Sequence, residues 1–209
     1  MLFRSYCILY TLHMDTIEKM FGSIAKARLM RAFVYNPNTV FSLDSISKQI
    51  KSKPDLVKKE LKVLRDMGLI HNRKTKNLKG RKVNGFVLDT KFAFLDPLRE
   101  FLLRVSPLSE HGVIRKLSNA GRAKLIVVSG IFLNNDEARA DMLIVSDKPD
   151  EKKVGKAVSE ISAEFGREVS FALFSSEDFS YRMNMGDKLV RDIFDFPHRV
   201  LLNKIGLEE

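Results

Sequence analysis

Cysteine is nearly absent from this sequence, in which Cys7 is the single thiol among 209 residues. One cysteine cannot form an intrachain disulfide, and a Cys-based zinc site would lack ligands. The four histidines offer no replacement, because His13, His71, His111 and His198 stand far apart without the spacing of metal ligands. We therefore predict a cytoplasmic protein with no metal site and no cofactor.

Hydrophobic runs long enough to cross a bilayer are also missing. The apolar stretch from Met1 to Met14 is too short to span a membrane and has no small-residue cleavage site. We predict that residues 1–14 form a frayed or docked tail or, alternatively, an extension ahead of a true start at Met14. No membrane partner is expected. With 44% apolar and 30% charged residues, the chain is expected to fold.

Acidic residues are scarce in one half of the chain only. From Met1 to Val105 there are 21 Lys and Arg against 9 Asp and Glu, a balance of +12, whereas the rest has 15 against 17, a balance of −2. A segment with that asymmetry attracts polyanions, of which nucleic acid is the commonest in a cytoplasm. The alternative is a basic surface that is merely solvated.

The strongest local pattern is the basic run that begins near Pro54. As a helix, it places apolar residues at i, i+4 and i+7 on one side and charged residues on the other. The apolar residues are Val57, Leu61 and Leu64, and the charged ones are Asp55, Lys58, Lys62 and Arg65. We predict Ser52 as its N-terminal cap and Gly68 as its C-terminal stop. One core face and one cationic face are typical of a helix that reads DNA.

Two helices are expected to precede this one. The stretch from Ile24 to Tyr35 has an apolar stripe and follows a break at Gly22-Ser23. A second helix begins after an extended segment at Phe41, with Ser42 as its cap. Its buried face is formed by Leu43, Ile46 and Ile50. Three helices with a tight turn between the second and third constitute a helix-turn-helix pattern.

A basic β-hairpin is predicted after the third helix. Its strands run from Leu69 to His71 and from Val83 to Leu88, and the loop between them, Asn72 to Lys82, carries six cations and no acid. Beside a helix-turn-helix, such a hairpin is a wing, which can lie along a phosphate backbone while the helix enters the major groove. The alternative is a hairpin tip kept charged for solubility.

These features together resemble the winged-helix domains of the arsenical-resistance-repressor (ArsR) type. The resemblance covers about Asp15 to Leu103 and rests on Ile17–Ser23, Phe41–Leu43, Lys59–Leu64, Met67–Ile70 and the basic hairpin. It implies a winged helix-turn-helix DNA-binding domain over residues 15–105. The Cys and His sets with which some such repressors sense metal ions are not matched, so metal sensing is not implied.

A further helix is predicted from Asp96-Pro97 onward. Its apolar residues at i, i+3, i+4 and i+7 are Leu98, Phe101, Leu102 and Val105. Two roles are open for this stripe: contact with a second copy in a homodimer, or packing on the second domain. The segment from Ser106 to Ser109 is predicted to link the domains, because the charge balance changes there.

Residues 106–209 are predicted to form a mixed-sheet α/β domain, which makes the whole chain α+β. The predicted strands are Lys124 to Val128, Asp141 to Val145, Glu168 to Phe174 and Val200 to Leu202. The predicted helices are Leu108 to Leu117, Asp150 to Phe165 and a short pair that starts at a capping box, Ser175 to Asp178, and reaches Phe194.

This half resembles the minimal nucleotidyltransferase fold. The resemblance rests on a strand that leads to Ser129-Gly130, a loop, and the strand from Asp141 to Val145, which matches the second half of an Asp-x-Asp-Leu-Leu-Val motif. It implies that two carboxylates on that strand and a third on a later strand would hold two divalent metals for nucleotide transfer.

Several of the implied positions are altered. Ile131 stands in place of the serine, Arg139 in place of the first metal acid, and Ser170 at the third carboxylate position. Glu168 could substitute for the third acid in another register, and Asp136 and Glu137 could supply an acid by rearrangement. The remnants of a degenerate nucleotide site are predicted to be Gly130, Arg139, Asp141 and Glu168.

Arg139 would repel a cation rather than bind one. It could contact a phosphate directly or pair with Glu137 or Asp141. Because a single intact carboxylate does not form a two-metal site, we expect no working transferase.

The sequence therefore predicts a DNA-binding transcription regulator with a catalytically degenerate nucleotidyltransferase-like domain. The residues predicted to bind double-stranded DNA are Lys53, Lys58, Lys59, Lys62, Arg65, Arg73, Lys74, Lys76, Lys79, Arg81 and Lys82. A nucleotide or a protein is the candidate ligand of the second domain. The alternative is an active nucleotidyltransferase that acts on RNA or a partner protein.

Overall fold

The computed structural model describes residues 20–104, 108, 110–133, 135 and 138–207. The predicted tail over residues 1–14, most of the predicted linker, Val105, Asp136 and Glu137 lie outside the described residues. Over the described ranges the chain is mixed α+β, with eight α-helices, a short 3-10 helix and six strands in two sheets. In these ranges no helix is both long and apolar enough to cross a membrane.

The first half contains four described helices and a hairpin. They are α1 (Ile24–Tyr35), α2 (Leu43–Gln49), α3 (Pro54–Asp66), β1 (Ile70–Lys76), β2 (Lys82–Leu88) and α4 (Leu95–Arg104). Ser42 caps α2 as predicted, because its hydroxyl oxygen accepts the N–H of Ser45 at 3.1 Å. Ser23 caps α1 in the same way through the N–H of Lys26.

One hydrophobic core joins these elements. Its fully buried side chains include Phe33 of α1, Ile46 and Ile50 on the predicted face of α2, and Leu88 of β2. Helix α4 lies on the same core, with Leu102 buried and Leu98 and Phe101 packed against it. The apolar stripe of α4 therefore packs on the core of its own half of the chain, which is neither of the two roles considered for it from the sequence.

The hairpin is tied to the segment that enters α2. Phe41 and Phe86 exchange two backbone hydrogen bonds, each 2.8 Å long. Gly85 lies beside this crossing, where an added Cβ would stand 2.6 Å from Cγ2 of Thr75 and 2.7 Å from the carbonyl oxygen of Phe41. Only glycine therefore fits where the two segments meet.

The second half is built on a four-stranded sheet. Its elements are α5 (Glu110–Gly121), β3 (Ala123–Val128), a 3-10 turn (Gly130–Leu133), β4 (Met142–Ser146), α6 (Glu151–Phe165), β5 (Phe171–Ser175), α7 (Ser176–Asn184), α8 (Lys188–Asp195) and β6 (Arg199–Asn203). The strand order is β5-β4-β3-β6, with β4 and β5 parallel and the other pairs antiparallel. The predicted cap at Ser175 is confirmed, since its hydroxyl oxygen accepts the N–H of Asp178 at 3.0 Å.

Strand β5 begins three residues later than predicted. The ladder with β4 starts where Met142 faces Phe171, which leaves Glu168 and Ser170 in the segment ahead of the strand. The reason is local. The carbonyl oxygen of Ser170 accepts the N–H groups of both Asp141 and Met142, at N to O distances of 3.0 and 3.1 Å. The regular ladder therefore begins only at the next residue, Phe171.

The described residues form two compact units. The first consists of those before residue 108 together with residues 162–167, and the second consists of all the others. The first unit thus includes Ser162–Arg167, which contains the end of α6. In the two-domain division predicted from the sequence, these residues belong to the second domain. There, Glu164 accepts hydrogen bonds from Arg28 at 2.9 and 2.5 Å, and the carbonyl of Gly166 accepts one from Gln49 at 2.8 Å. A Cβ at Gly166 would collide with the backbone of Ala32, so this segment packs closely on α1.

Candidate nucleic-acid interface

Helix α3 has the predicted division into a buried face and a charged face. Val57, Leu61 and Leu64 are at most 1% exposed and lie in the core of the first unit. The helix begins at Pro54. Proline has no N–H, but this costs nothing here because N–H groups in the first turn have no acceptor within the helix. Gly68 has a φ of 87°, a left-handed conformation that glycine adopts without strain, and it ends the helix as predicted.

The predicted N-terminal cap of α3 is wrong. Lys53 occupies the N-cap position and makes no side-chain capping bond. The hydroxyl of Ser52 donates instead to the carbonyl of Ile50 at 3.4 Å, because it lies one residue ahead of the position that reaches the N–H groups of the first turn. The first turn of α3 therefore has no side-chain acceptor at its cap and has an exposed lysine beside it.

The charged face of α3 is exposed along its length. The predicted DNA-binding residues here are Lys53, Lys58, Lys59, Lys62 and Arg65, and all five are exposed. Arg65 lies 3.4 Å from Asp66, but none of the four lysines forms an ion pair with a described acid. Lys58 and Lys62 are like charges at i and i+4, which repel each other on a helix surface.

A line of exposed apolar side chains flanks the cations. Leu56, Val63 and Met67, at i, i+7 and i+11, are 42%, 40% and 47% exposed. This spacing places them on one side of the helix, next to its cationic face. Apolar groups on a helix in the major groove can contact the methyl group of thymine. The spacing of the core residues did not reveal this second stripe.

One charged residue of α3 was missed by the sequence-based prediction. Glu60 is only 6% exposed; its Oε1 accepts the hydroxyl of Ser23 at 2.7 Å, and its Oε2 lies 3.4 Å from the ammonium of Lys26. These contacts fix the start of α1 to the middle of α3. The available signal was its position, three residues after Val57 and four before Leu64, on the buried face.

The basic hairpin contains more strand and less loop than predicted. Strand β1 continues to Lys76 and β2 begins at Lys82, so the predicted loop from Asn72 to Lys82 is wrong. Alternation of apolar and polar residues is the main sequence signal for a strand. That signal is missing here, because the side chains from Asn72 to Lys76 are all polar.

Asn77 and Gly80 form the turn. The side-chain oxygen of Asn77 accepts the N–H groups of Lys79 at 3.1 Å and Arg81 at 2.9 Å. This bonding of a side chain to the following backbone is how asparagine favours turns. Gly80 supplies the left-handed φ of 75° that the turn requires.

The strand register determines which of the six cations of the hairpin share a face. Lys76 lies directly opposite Lys82, and Lys74 lies opposite Asn84. Because side chains alternate along a strand, these three lysines share one face of the hairpin, and Arg73 lies on the other. The remaining two cations, Lys79 and Arg81, lie in the turn. All six are exposed, and none pairs with an acid in the part of the chain that the structure describes.

Two of the predicted remnants, Gly130 and Asp141, form a cluster with Ile131 and Ser170, called the closed cluster below. Asp141 at its centre is only 7% exposed. Its Oδ1 accepts the N–H of Ile131 at 2.9 Å, and its Oδ2 accepts both the N–H and the hydroxyl of Ser170 at 2.8 Å. An added Cβ at Gly130 would collide with Asp141. The structure therefore brings Gly130, Asp141 and Ser170 together, with every carboxylate oxygen of the cluster hydrogen-bonded.

The other two predicted remnants lie elsewhere. Arg139 pairs with Asp192 of α8 at 2.5 Å. Of the two acids named as alternative partners, Glu137 lies outside the described residues, and the pairing with Asp141 is wrong because the oxygens of Asp141 bond to Ile131 and Ser170. Glu168 is exposed ahead of β5 and does not substitute for the third acid, because Ser170 itself holds the position beside Asp141. Among the described residues, no group of three or more His, Cys, Asp or Glu side chains could hold a metal ion.

Comparison of the chain with protein-family models, with curated proteins and with solved structures finds no match. The functional conclusion therefore depends on the residues and their geometry.

Proposed function

We propose that this protein is a DNA-binding transcription regulator whose first unit is an ArsR-like winged helix-turn-helix. The observation that carries the proposal is the set of exposed cations on α3 and the hairpin, which have no acidic partners among the described residues, Arg65 excepted. The succession of α1, α2 and α3, followed by a hairpin bonded back to Phe41, supports the winged-helix assignment.

In this proposal α3 enters the major groove and the hairpin follows the phosphate backbone. The lysines neutralise phosphates, which releases bound counterions and makes binding depend steeply on salt. Leu56 and Val63 contribute apolar contacts to thymine. A homodimer would place two such surfaces on neighbouring half-sites.

We assign the second unit a nucleotidyltransferase-like fold that serves interaction with a nucleotide or a protein. The alternative, an active nucleotidyltransferase acting on RNA or a partner protein, has less support. A two-metal mechanism needs carboxylate oxygens free to coordinate cations. In the closed cluster, both carboxylate oxygens of Asp141 accept hydrogen bonds, one from Ile131 and the other from Ser170.

The test is binding of a random-sequence duplex by the full chain at several salt concentrations. Lys58→Gln/Lys62→Gln is expected to weaken binding at least about tenfold. It should also lower the salt slope by roughly two, because each phosphate that a lysine neutralises contributes about 0.9 to that slope.

The control variant is Lys152→Gln/Lys156→Gln, which removes two exposed lysines at the same i, i+4 spacing from α6. It is expected to bind like the wild type. Equal reductions of affinity in both variants, or no binding by the wild type at low salt, would contradict the proposal.

A further inference from the structure

The pair of Lys76 and Lys82 is electrostatically costly for the free protein. In the antiparallel ladder the two residues face each other directly, which places their Cβ atoms about 4.5–5.5 Å apart. Like charges in this position destabilise a hairpin. Lys74, two residues before Lys76 on the same face, is diagonal to Lys82 and adds a third ammonium to the repulsion.

The hairpin itself offers no compensating charge. From Ile70 to Leu88 the sequence contains six cations and no acid. Lys74, Lys76 and Lys82 are exposed and form no ion pair with any acid that the structure describes. In the free protein only solvent screens the repulsion between these lysines, so a bound anion would reduce it further.

The face that carries these lysines has a defined direction. Side chains an even number of residues apart on a strand share a face, so Ile70 and Leu88 lie on the same face as Lys74, Lys76 and Lys82. Both Ile70 and Leu88 are buried in the core formed with α1, α2 and α3. The lysines therefore extend from the side of the hairpin that packs against the helices, whereas Arg73 extends from the opposite side.

Resting on the proposed function, we propose that Lys76 and Lys82 together hold a single phosphate of the bound duplex. Two ammonium groups on neighbouring strands can donate to the oxygens of the same phosphate, and charge-assisted hydrogen bonds of this kind are stronger than neutral ones. The anion also removes the repulsion between the lysines. Lys74 contacts an adjacent phosphate, so the backbone of one DNA strand follows the helix-facing side of the hairpin.

A double-mutant cycle tests the sharing of one phosphate. Duplex affinity is measured for the full-length wild type, Lys76→Gln, Lys82→Gln and the double variant, with thermal melting of each to show that it folds. Each single change is expected to weaken binding about five- to tenfold, and the double change only about tenfold. Sub-additivity is expected because the second substitution acts on an interaction that the first has already broken. The salt slope of the double variant should fall by about one.

The cycle of Lys76→Gln with Arg73→Gln is the matched comparison. These residues lie on opposite faces of the same strand, so their effects are expected to multiply. If the effects of Lys76→Gln and Lys82→Gln also multiply, the shared phosphate is refuted while DNA binding stands. If the wild type binds no duplex at low salt, both the proposed function and this inference fail.

Discussion

The exposed cations of α3 and the hairpin contrast with the closed cluster around Asp141. On α3 and the hairpin, the lysines extend into solvent without a described acidic partner, and two of them face each other across the ladder. In the closed cluster a single buried carboxylate accepts three hydrogen bonds from the protein itself. The cations of α3 and the hairpin are therefore available to an external partner, whereas the charge of Asp141 is stabilised by hydrogen bonds within the protein.

This contrast separates binding from stability. Exposed lysines contribute little to the folded state, so their removal should cost affinity rather than stability. A buried carboxylate that satisfies several donors contributes to stability, because those donors lose their acceptor when it is removed. Substitutions in the closed cluster and on the hairpin therefore test this separation.

The largest effect is expected for Asp141→Ala. The change leaves the buried N–H of Ile131 without its acceptor and removes two hydrogen bonds from Ser170, an exposed residue whose donors can bond to water. A buried donor without an acceptor costs about 1–3 kcal/mol, and the two lost bonds to Ser170 add a smaller amount, so we expect a reduction of about 2–4 kcal/mol in the free energy of unfolding. Urea denaturation followed by far-UV circular dichroism measures it.

The control for Asp141→Ala is Asp195→Ala. Asp195 is an exposed carboxylate 3.7 Å from Arg191, and its removal is expected to change stability by less than about 0.5 kcal/mol. If Asp141→Ala instead stabilises the protein and abolishes transfer of label from a nucleoside triphosphate, Asp141 is a catalytic residue and the contrast is wrong. Active sites commonly trade stability for function in this way.

A smaller reduction in stability is expected for Ser170→Ala. The hydroxyl bond to Oδ2 of Asp141 disappears, but the N–H bond of the same residue remains. A hydrogen bond to a charged group is worth about 1.5–3 kcal/mol, but water replaces part of it at the exposed Ser170, so we expect the free energy of unfolding to fall by about 1–2 kcal/mol. Ser170→Thr keeps the hydroxyl and should retain most of the stability. Equal stability of the Ala and Thr variants would show that the hydroxyl bond contributes nothing.

The faces of α3 could be predicted because they depend on residues close together in sequence. The i, i+4, i+7 spacing located Val57, Leu61 and Leu64, and Gly68 marked the end of the helix. The extent of the hairpin could not be predicted, because a run of polar side chains hides the alternation of a strand. Its register, which determines which lysines share a face, depends on the Asn77 turn and on the crossing at Phe41.

The closed cluster shows a different limit of prediction. Its partners are 10 and 29 residues from Asp141, and their bonds depend on how the strands meet. Sequence patterns indicated that Gly130, Asp141 and Ser170 belong to one site, but not that Asp141 would be fully hydrogen-bonded. For Arg139 the sequence suggested a phosphate or a nearby acid as the partner, whereas its ion-pair partner in the structure is Asp192, in a helix much later in the chain.

The smallest stability effect, and one of opposite sign, is expected for Lys82→Glu. The substitution turns a repulsive cross-strand pair into an attractive one with Lys76, which should raise stability by about 0.2–1 kcal/mol and increase Tm slightly. Lys79→Glu is the control, because Lys79 lies in the turn without a ladder partner and should gain less. Duplex affinity should fall more than about tenfold in Lys82→Glu, since the glutamate repels phosphate. Higher stability together with weaker binding would show that this pair of lysines serves ligand binding and lowers the stability of the free protein. Lower stability would show that the two lysines do not repel each other as the register implies.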